Sequence, residues 1–344
     1  MYASEAKAHL NILLADPEVP TMMLWGPPGV GKSSIIQQIA TERGWGFVDL
    51  RLLLLNPIDL RGIPYPNKDT RQADWLAPSF LPDVERDGEE GIILFDEITS
   101  APRAVQAAAY QLILDRRIGE YVLPDGWRQV AAGNRAEDKG VSNRMPAPLA
   151  NRMIHFELTC SLEDWKFWAI PNGIDYRVVS FLNFRPELLY MFPNQAAEIK
   201  AFPSPRSWEF VHKILPSFAQ VDRAFPAICG AVGEGAATEF TAFCRVLEQM
   251  PDPEDILEGR ITAVPDSPDM MYACIGALIS RLTINKTPDR LKNYFTFISE
   301  LMVEYQVLGV SDAVKANLRT DLVTLPAFRD WLVKHTDVLV GVDD

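Results

Sequence analysis

The segment that most constrains this fold is Thr21–Ser33, where a short apolar run, Thr-Met-Met-Leu-Trp, stops at Gly26-Pro27-Pro28-Gly29-Val30-Gly31-Lys32-Ser33. Ser33–Arg43 then reads as a helix. Strand, glycine-rich loop, helix is a demanding order. Glycines let the backbone curl until its N–H groups face inward, and the helix N-terminus adds its positive end, so such a loop holds phosphate groups. In Gly-x4-Gly-Lys-Ser the lysine brings a point charge to the terminal phosphates of a nucleoside triphosphate, and the serine hydroxyl ligates Mg2+. The candidate phosphate-binding residues are Gly26, Pro27, Pro28, Gly29, Val30, Gly31, Lys32, Ser33 and Ser34, with Ser33 also a metal ligand. An ordinary glycine turn is the competing reading, and the flanking strand and helix count against it.

Further short apolar runs follow at Gly46–Leu50, Gly91–Phe95, Trp127–Ala132 and Met153–Leu158, with helical stretches such as Ala3–Leu14 and Ala104–Asp115 among them. Strands alternating with helices predict an α/β fold, a parallel sheet covered on both faces, over residues 1–158. After Thr159 the character changes. Leu162–Ala169, Tyr176–Phe184, Arg206–Leu215, Ala236–Gln249, Pro268–Leu282, Asp289–Glu304 and Ser311–Arg319 fit helical spacing, with Pro and Gly between them. Pro-rich stretches at 202–205 and 251–268 are candidate internal boundaries.

Two strand ends carry further chemistry. Gly91-Ile-Ile-Leu-Phe-Asp96-Glu97 is an apolar strand ending in a pair of carboxylates. Beside the loop strand it would bring Asp96 to the Mg2+ shell and Glu97 to a water attacking the γ-phosphorus. Any strand running into solvent has the same look, so the weight comes from the upstream loop. Val130-Ala-Ala-Gly-Asn134 ends another strand in an amide that can hold that water, or in a turn-forming Asn.

Composition narrows the partners. With 344 residues, 48% of them apolar, the chain is long enough for more than one domain and is globular. No apolar run approaches the roughly 18–20 residues of a membrane span, and the N-terminus lacks the pattern of a signal peptide. Cys160, Cys229, Cys244 and Cys274 form no Cys-x-x-Cys pair, which predicts free thiols, no zinc and a cytoplasmic setting. The net charge of −13 disfavours extended nucleic-acid binding, since only Arg135, Lys139, Arg144 and Arg152 make a basic cluster.

The order of these motifs, completed by Leu149-Ala-Asn-Arg152-Met and Pro205-Arg206, resembles AAA+ ATPases. Arg51–Pro64 and Asp96–Gly119 are similar to the MoxR-like branch of the helix-2-insert clade, and the resemblance covers roughly residues 20–215. It implies a three-layer αβα domain with strand order 5-1-4-3-2 and a helical lid at 159–250 carrying sensor 2; beyond about 220 no functional motif matches, and the helical spacing there predicts a C-terminal helical extension at 251–344. The resemblance implies Asn134 as sensor 1, Arg206 as sensor 2 and Arg152 as an arginine finger acting on a neighbouring subunit's nucleotide. Here Asn-Arg-Met replaces the usual Asp-Arg-Phe, Arg144 is a rival finger, and a solvated charge is the plain alternative for Arg152. The implied assembly is a homo-oligomeric ring, most often hexameric, that hydrolyses ATP with Mg2+ to remodel a protein client. For this branch that client is frequently a von Willebrand factor A (VWA) domain protein. Asn56–Trp75 reads as a hairpin-like insertion and Arg117–Trp127 as a second loop or hairpin, for client contact or, through Tyr65 and Trp75, for plain core packing. A DNA-acting AAA+ motor, a rarely hydrolysing assembly module and a small-molecule kinase are the other readings.

Overall fold

A computed structural model of the chain describes residues 1–69, 71–135, 138, 143, 145–192, 200–265 and 267–335. The chain divides into two compact units, Met1–Cys160 and Ser161–Asp344.

In the first unit the strands run β1 (Met22–Trp25), β2 (Gly46–Arg51), β3 (Ile63–Asn67), β4 (Gln72–Leu76), β5 (Gly91–Asp96), β6 (Arg117–Ile118), β7 (Tyr121–Val122), β8 (Trp127–Gly133) and β9 (Ile154–Glu157). Five of them form one sheet in the order β2-β5-β8-β1-β9, and every pairing within it is parallel. Counting only these sheet strands, this is the 5-1-4-3-2 order that the resemblance implies. Burial explains which strands are central. All residues of β8 and all but Asp96 of β5 are buried, as a strand covered on both faces must be. Helices Lys32–Arg43 and Arg103–Asp115 contribute Ile35, Ile36 and Ile39, and Val105, Ala109 and Leu112, to the core.

The inserted segments are hairpins. β3 and β4 pair antiparallel, with Tyr65 opposite Asp74, and Pro64 and Pro66 sit in β3, where a two-stranded ribbon tolerates lost donors. The alternative of plain core packing does not hold for Tyr65, which is 59% exposed, with Ile63 at 71% and Leu76 at 59%. β6 and β7 form the second hairpin, and its Glu120 carboxylate accepts from the Trp75 N–H of the first at 3.3 Å.

The second unit is helical among its described residues. Helices Leu162–Ala169 and Tyr176–Phe184 fall where the spacing places them. Elsewhere packing overrides punctuation. The helix expected at 289–304 ends at Ser299, and the one expected at 311–319 begins at Val303 and ends at Lys315. Gly309 sits inside that last helix, where the buried Tyr294 hydroxyl donates to its carbonyl at 2.9 Å. Val221–Val232 is a helix despite Pro226 within it. One apolar cluster runs through these later helices, from Ile256 through Tyr294 to Trp331.

Candidate functional site

Every strand of a parallel sheet ends on the same edge, so the residues that terminate β1, β5 and β8 converge by topology alone. The loop after β1 needs its glycines: Gly29 has φ +84° and Gly31 φ +94°, a region L side chains rarely adopt. Gly31 caps helix Lys32–Arg43, leaving the first helical N–H groups directed at the loop's concavity. Lys32 is only 8% exposed. Its Nζ donates to the carbonyls of Gly26 (2.6 Å) and Pro27 (2.9 Å) and to Asn134 Oδ1 (3.0 Å). Ser33 Oγ donates to Asp96 Oδ2 at 2.7 Å, and the other carboxylate oxygen accepts from Glu97 N–H at 2.9 Å. Glu97 is exposed and sits at φ +55°, an uncommon left-handed conformation for a non-glycine residue.

The expected residues Lys32, Ser33, Asp96, Glu97 and Asn134 are thus brought together. Arg152 is not among them. β9 pairs with β1 in the register Met22–Ile154 to Trp25–Glu157, so Arg152, in the turn before β9, lies at the opposite edge of the sheet from the loop. At about 3.3 Å per residue the strand itself separates the two. Arg206 belongs to the second unit, exposed in the first turn of helix Pro205–Ile214. That helix is held by a reciprocal Ser204–Ser207 cap at 2.8 and 3.1 Å. Lys139 and Arg144 lie outside the described residues.

Sequence reading missed two contributors. Thr99 Oγ1 accepts from Asn134 N–H (3.1 Å) and lies 3.2 Å from the Asn134 carbonyl, to which it donates. Gly133 permits this approach, since a Cβ there would stand 2.7 Å from that hydroxyl oxygen. The only sequence signal was a threonine just past the paired carboxylates. Arg51, at the end of β2, is in register with Asp96. Its hydrogen bond to Asp49, with the nearby charges of Asp96 and Glu97, holds the guanidinium pKa above its ordinary value.

The donor set suits a hard divalent cation with a triphosphate. A hydroxyl and a carboxylate in contact supply few protein ligands, as Mg2+ prefers when phosphates and water complete its octahedron. No group of three or more His, Cys, Asp or Glu capable of holding a metal occurs among the described residues.

Residues 22–114 match the family model described as "ATPase family associated with various cellular activities (AAA)". Over that stretch, which includes the phosphate loop and the Asp96–Glu97 strand end, the first unit is similar to AAA-family ATPase domains. In sequence, human replication factor C subunit 4 is 33% identical over 112 residues, 31% of this chain and 30% of that protein, so the match spans about a third of that relative's own length. Among solved structures, the Thermotoga maritima RuvB Holliday junction branch migration motor matches with TM-score 0.39 and 18% identity, covering 84% of this chain and 86% of that one. A Cytophaga hutchinsonii protein assigned as an ATPase matches with TM-score 0.33 and 15% identity, over 68% of this chain and 79% of that one. No helix among the described residues is long and apolar enough to cross a membrane.

Proposed function

We propose that the chain is a ring-forming ATPase that hydrolyses ATP at the Gly26–Ser33 loop and uses the cycle to remodel a protein client. The observation that carries the reading is the meeting of Ser33 Oγ and Asp96 Oδ2, 2.7 Å apart, beside the buried Lys32. The loop N–H groups and Lys32 bind the phosphates. Ser33 and Asp96 would hold Mg2+, which would supply charge neutralisation at the phosphates. Glu97 accepts a proton from the attacking water, and Asn134 orients that water. Arg152 stabilises the transferring phosphoryl group of the neighbouring subunit; its place at the far edge of its own sheet supports action in trans. Arg206 reports the nucleotide to the helical unit. The resemblance to MoxR-like ATPases makes a VWA-domain protein the client class to test, and a hexamer the assembly to look for.

Phosphate release from MgATP tests the reading. Glu97→Gln should retain nucleotide binding and lose about 10²-fold or more in turnover, the weight of a general base, while Lys32→Ala should weaken binding itself. Turnover of the Gln variant close to that of the unaltered protein would remove Glu97 from the mechanism and favour an assembly module. Stimulation by DNA rather than by a protein client would favour the DNA-motor reading, which the net charge of −13 opposes.

A further inference from the structure

A line of side chains joins the two edges of the sheet that the preceding reading assigns to different active sites. Trp25 is the last residue of β1, directly before Gly26. Its indole N–H donates to Nδ1 of His155 at 2.8 Å, and the two rings stack at 6.0 Å with planes 25° apart. Trp has a donor and no acceptor, so Nδ1 must carry a lone pair. The neutral ring then bears its proton on Nε2, which donates to the Ala150 carbonyl at 2.8 Å.

That carbonyl belongs to the turn presenting Arg152. Ala150 O also accepts from Met153 N–H at 3.2 Å, closing the turn around Arg152, and Ile154 N–H then enters the sheet on Thr21 O at 3.1 Å. At the other end, Trp25 O accepts from Leu158 N–H (2.8 Å), and Gly26 N–H donates to Gly133 O (3.3 Å). His155 pairs with Met23 in the sheet. The indole and imidazole therefore run back along the strand pair, from the root of the phosphate loop to the arginine turn.

We infer that His155 is a positioning residue that, through Trp25 and the Ala150 carbonyl, sets the turn carrying Arg152 against the phosphate loop of its own subunit, and so couples that subunit's nucleotide state to the arginine it offers its neighbour. This rests on the reading of Arg152 as a finger acting in trans. The physical requirement is one donor and one acceptor on a planar group of fixed reach. A phenyl ring keeps the shape and loses both; a glutamine side chain restores one of each.

The test uses the full chain under conditions where it assembles. His155→Phe should lower kcat by about tenfold to a hundredfold, the scale of a misplaced catalytic group, with KM for ATP within about twofold because the variant's own loop is intact. His155→Gln should recover most of the loss, and Trp25→Phe should act in the same direction as His155→Phe. Mixing His155→Phe with Lys32→Ala subunits should partly restore turnover, since some interfaces then pair an intact loop with a well-held arginine. Wild-type kcat in His155→Phe, alongside an inactive Arg152→Ala, would sink the inference and leave the finger reading standing. So would a loss confined to thermal midpoint or KM without recovery on mixing, which marks a contact serving only its own fold. Full turnover in Arg152→Ala would instead remove the finger reading on which the inference stands.

Discussion

In the first unit the polar groups Lys32, Ser33, Asp96 and Asn134 meet at the carboxyl edge of the sheet, with Asp96 and Asn134 half-buried and Glu97 exposed beside them. In the second unit Lys166, Asp312 and Lys315 are buried between helices. Lys166 Nζ there lies 2.8 Å from Asp312 and 2.7 Å from Glu163. It also donates to Asn183 Oδ1 at 2.9 Å, while the Asn183 amide donates to Asp312 at 2.9 Å. Burial alone would lower the Lys166 pKa, yet Asp312 and Glu163 outweigh it and raise it. The second cluster sets two cations against two anions, and of the four only Glu163 reaches solvent. The difference lies in what each architecture can leave open. A parallel sheet ends all its strands on one edge, where loops diverge and a ligand can enter, whereas packed helices bring side chains together in the middle, where only other side chains complete them.

That contrast is open to attack, first through the site. Arg152→Ala should cost on the order of 10³-fold in turnover, as arginine fingers do in comparable P-loop systems. Its mixture with Lys32→Ala should regain part of the activity; co-assembly without recovery would place Arg152 in cis or in a structural role. Arg144 would be the next substitution.

The ion cluster of the second unit should fail through stability instead. Asp312→Ala leaves the buried Lys166 cation short of a partner, at a cost of about 3–5 kcal/mol in unfolding free energy, read by denaturant titration. Acid should act in the same direction. Burial favours the neutral form of Glu163, but Lys166 and Lys315 outweigh it and hold the carboxyl below its ordinary value of 4.5. Its contribution is therefore complete above that pH and lost as pH falls through the depressed value. A Glu163→Gln chain should show a weaker acid dependence than the unaltered protein.

A smaller effect is expected at the hinge between site and core. Thr99→Val removes the hydroxyl that bonds both main-chain groups of Asn134, at a cost of about 1–3 kcal/mol. Turnover should fall while MgATP affinity holds, and unchanged turnover would make Thr99 a core contact only. The smallest effect on basal hydrolysis is expected for replacement of residues 65–70 by a Gly-Ser turn, although Thr70 lies outside the described residues. Basal activity should stay within about twofold, as for surface loops that carry contacts rather than chemistry, and client stimulation should vanish. Retained stimulation would move the client surface elsewhere.

The sheet strands and the phosphate loop were legible because each is written in neighbouring residues: a run of apolar side chains, then glycines that the backbone needs at positive φ. The strand-terminal Asp96 and Asn134 were legible for the same reason, as polar punctuation of apolar runs. Helix limits in the second unit were harder. Pro226 and Gly309 signal breaks locally, yet a helix that buries Ala224, Ile228 and Val232 continues through Pro226, and the apolar cluster from Ile256 to Trp331 carries another through Gly309.

Residues adjacent in the chain thus determined the class of the first unit and the chemistry of its loop, since backbone conformation and strand burial are decided within a few residues. Tertiary structure alone decided that Thr99 anchors Asn134, that Arg51 stands beside Asp96, and that Trp25 reaches His155 across 130 residues of chain. These contacts depend on strand order and register, and a parallel sheet joins strands distant in sequence only after its crossovers have formed. None of the side chains involved carries a local signal of the partner it meets. The edge-to-edge separation of Arg152 from Lys32 is equally a consequence of register, because direction along a strand pair has meaning only once the two strands are paired.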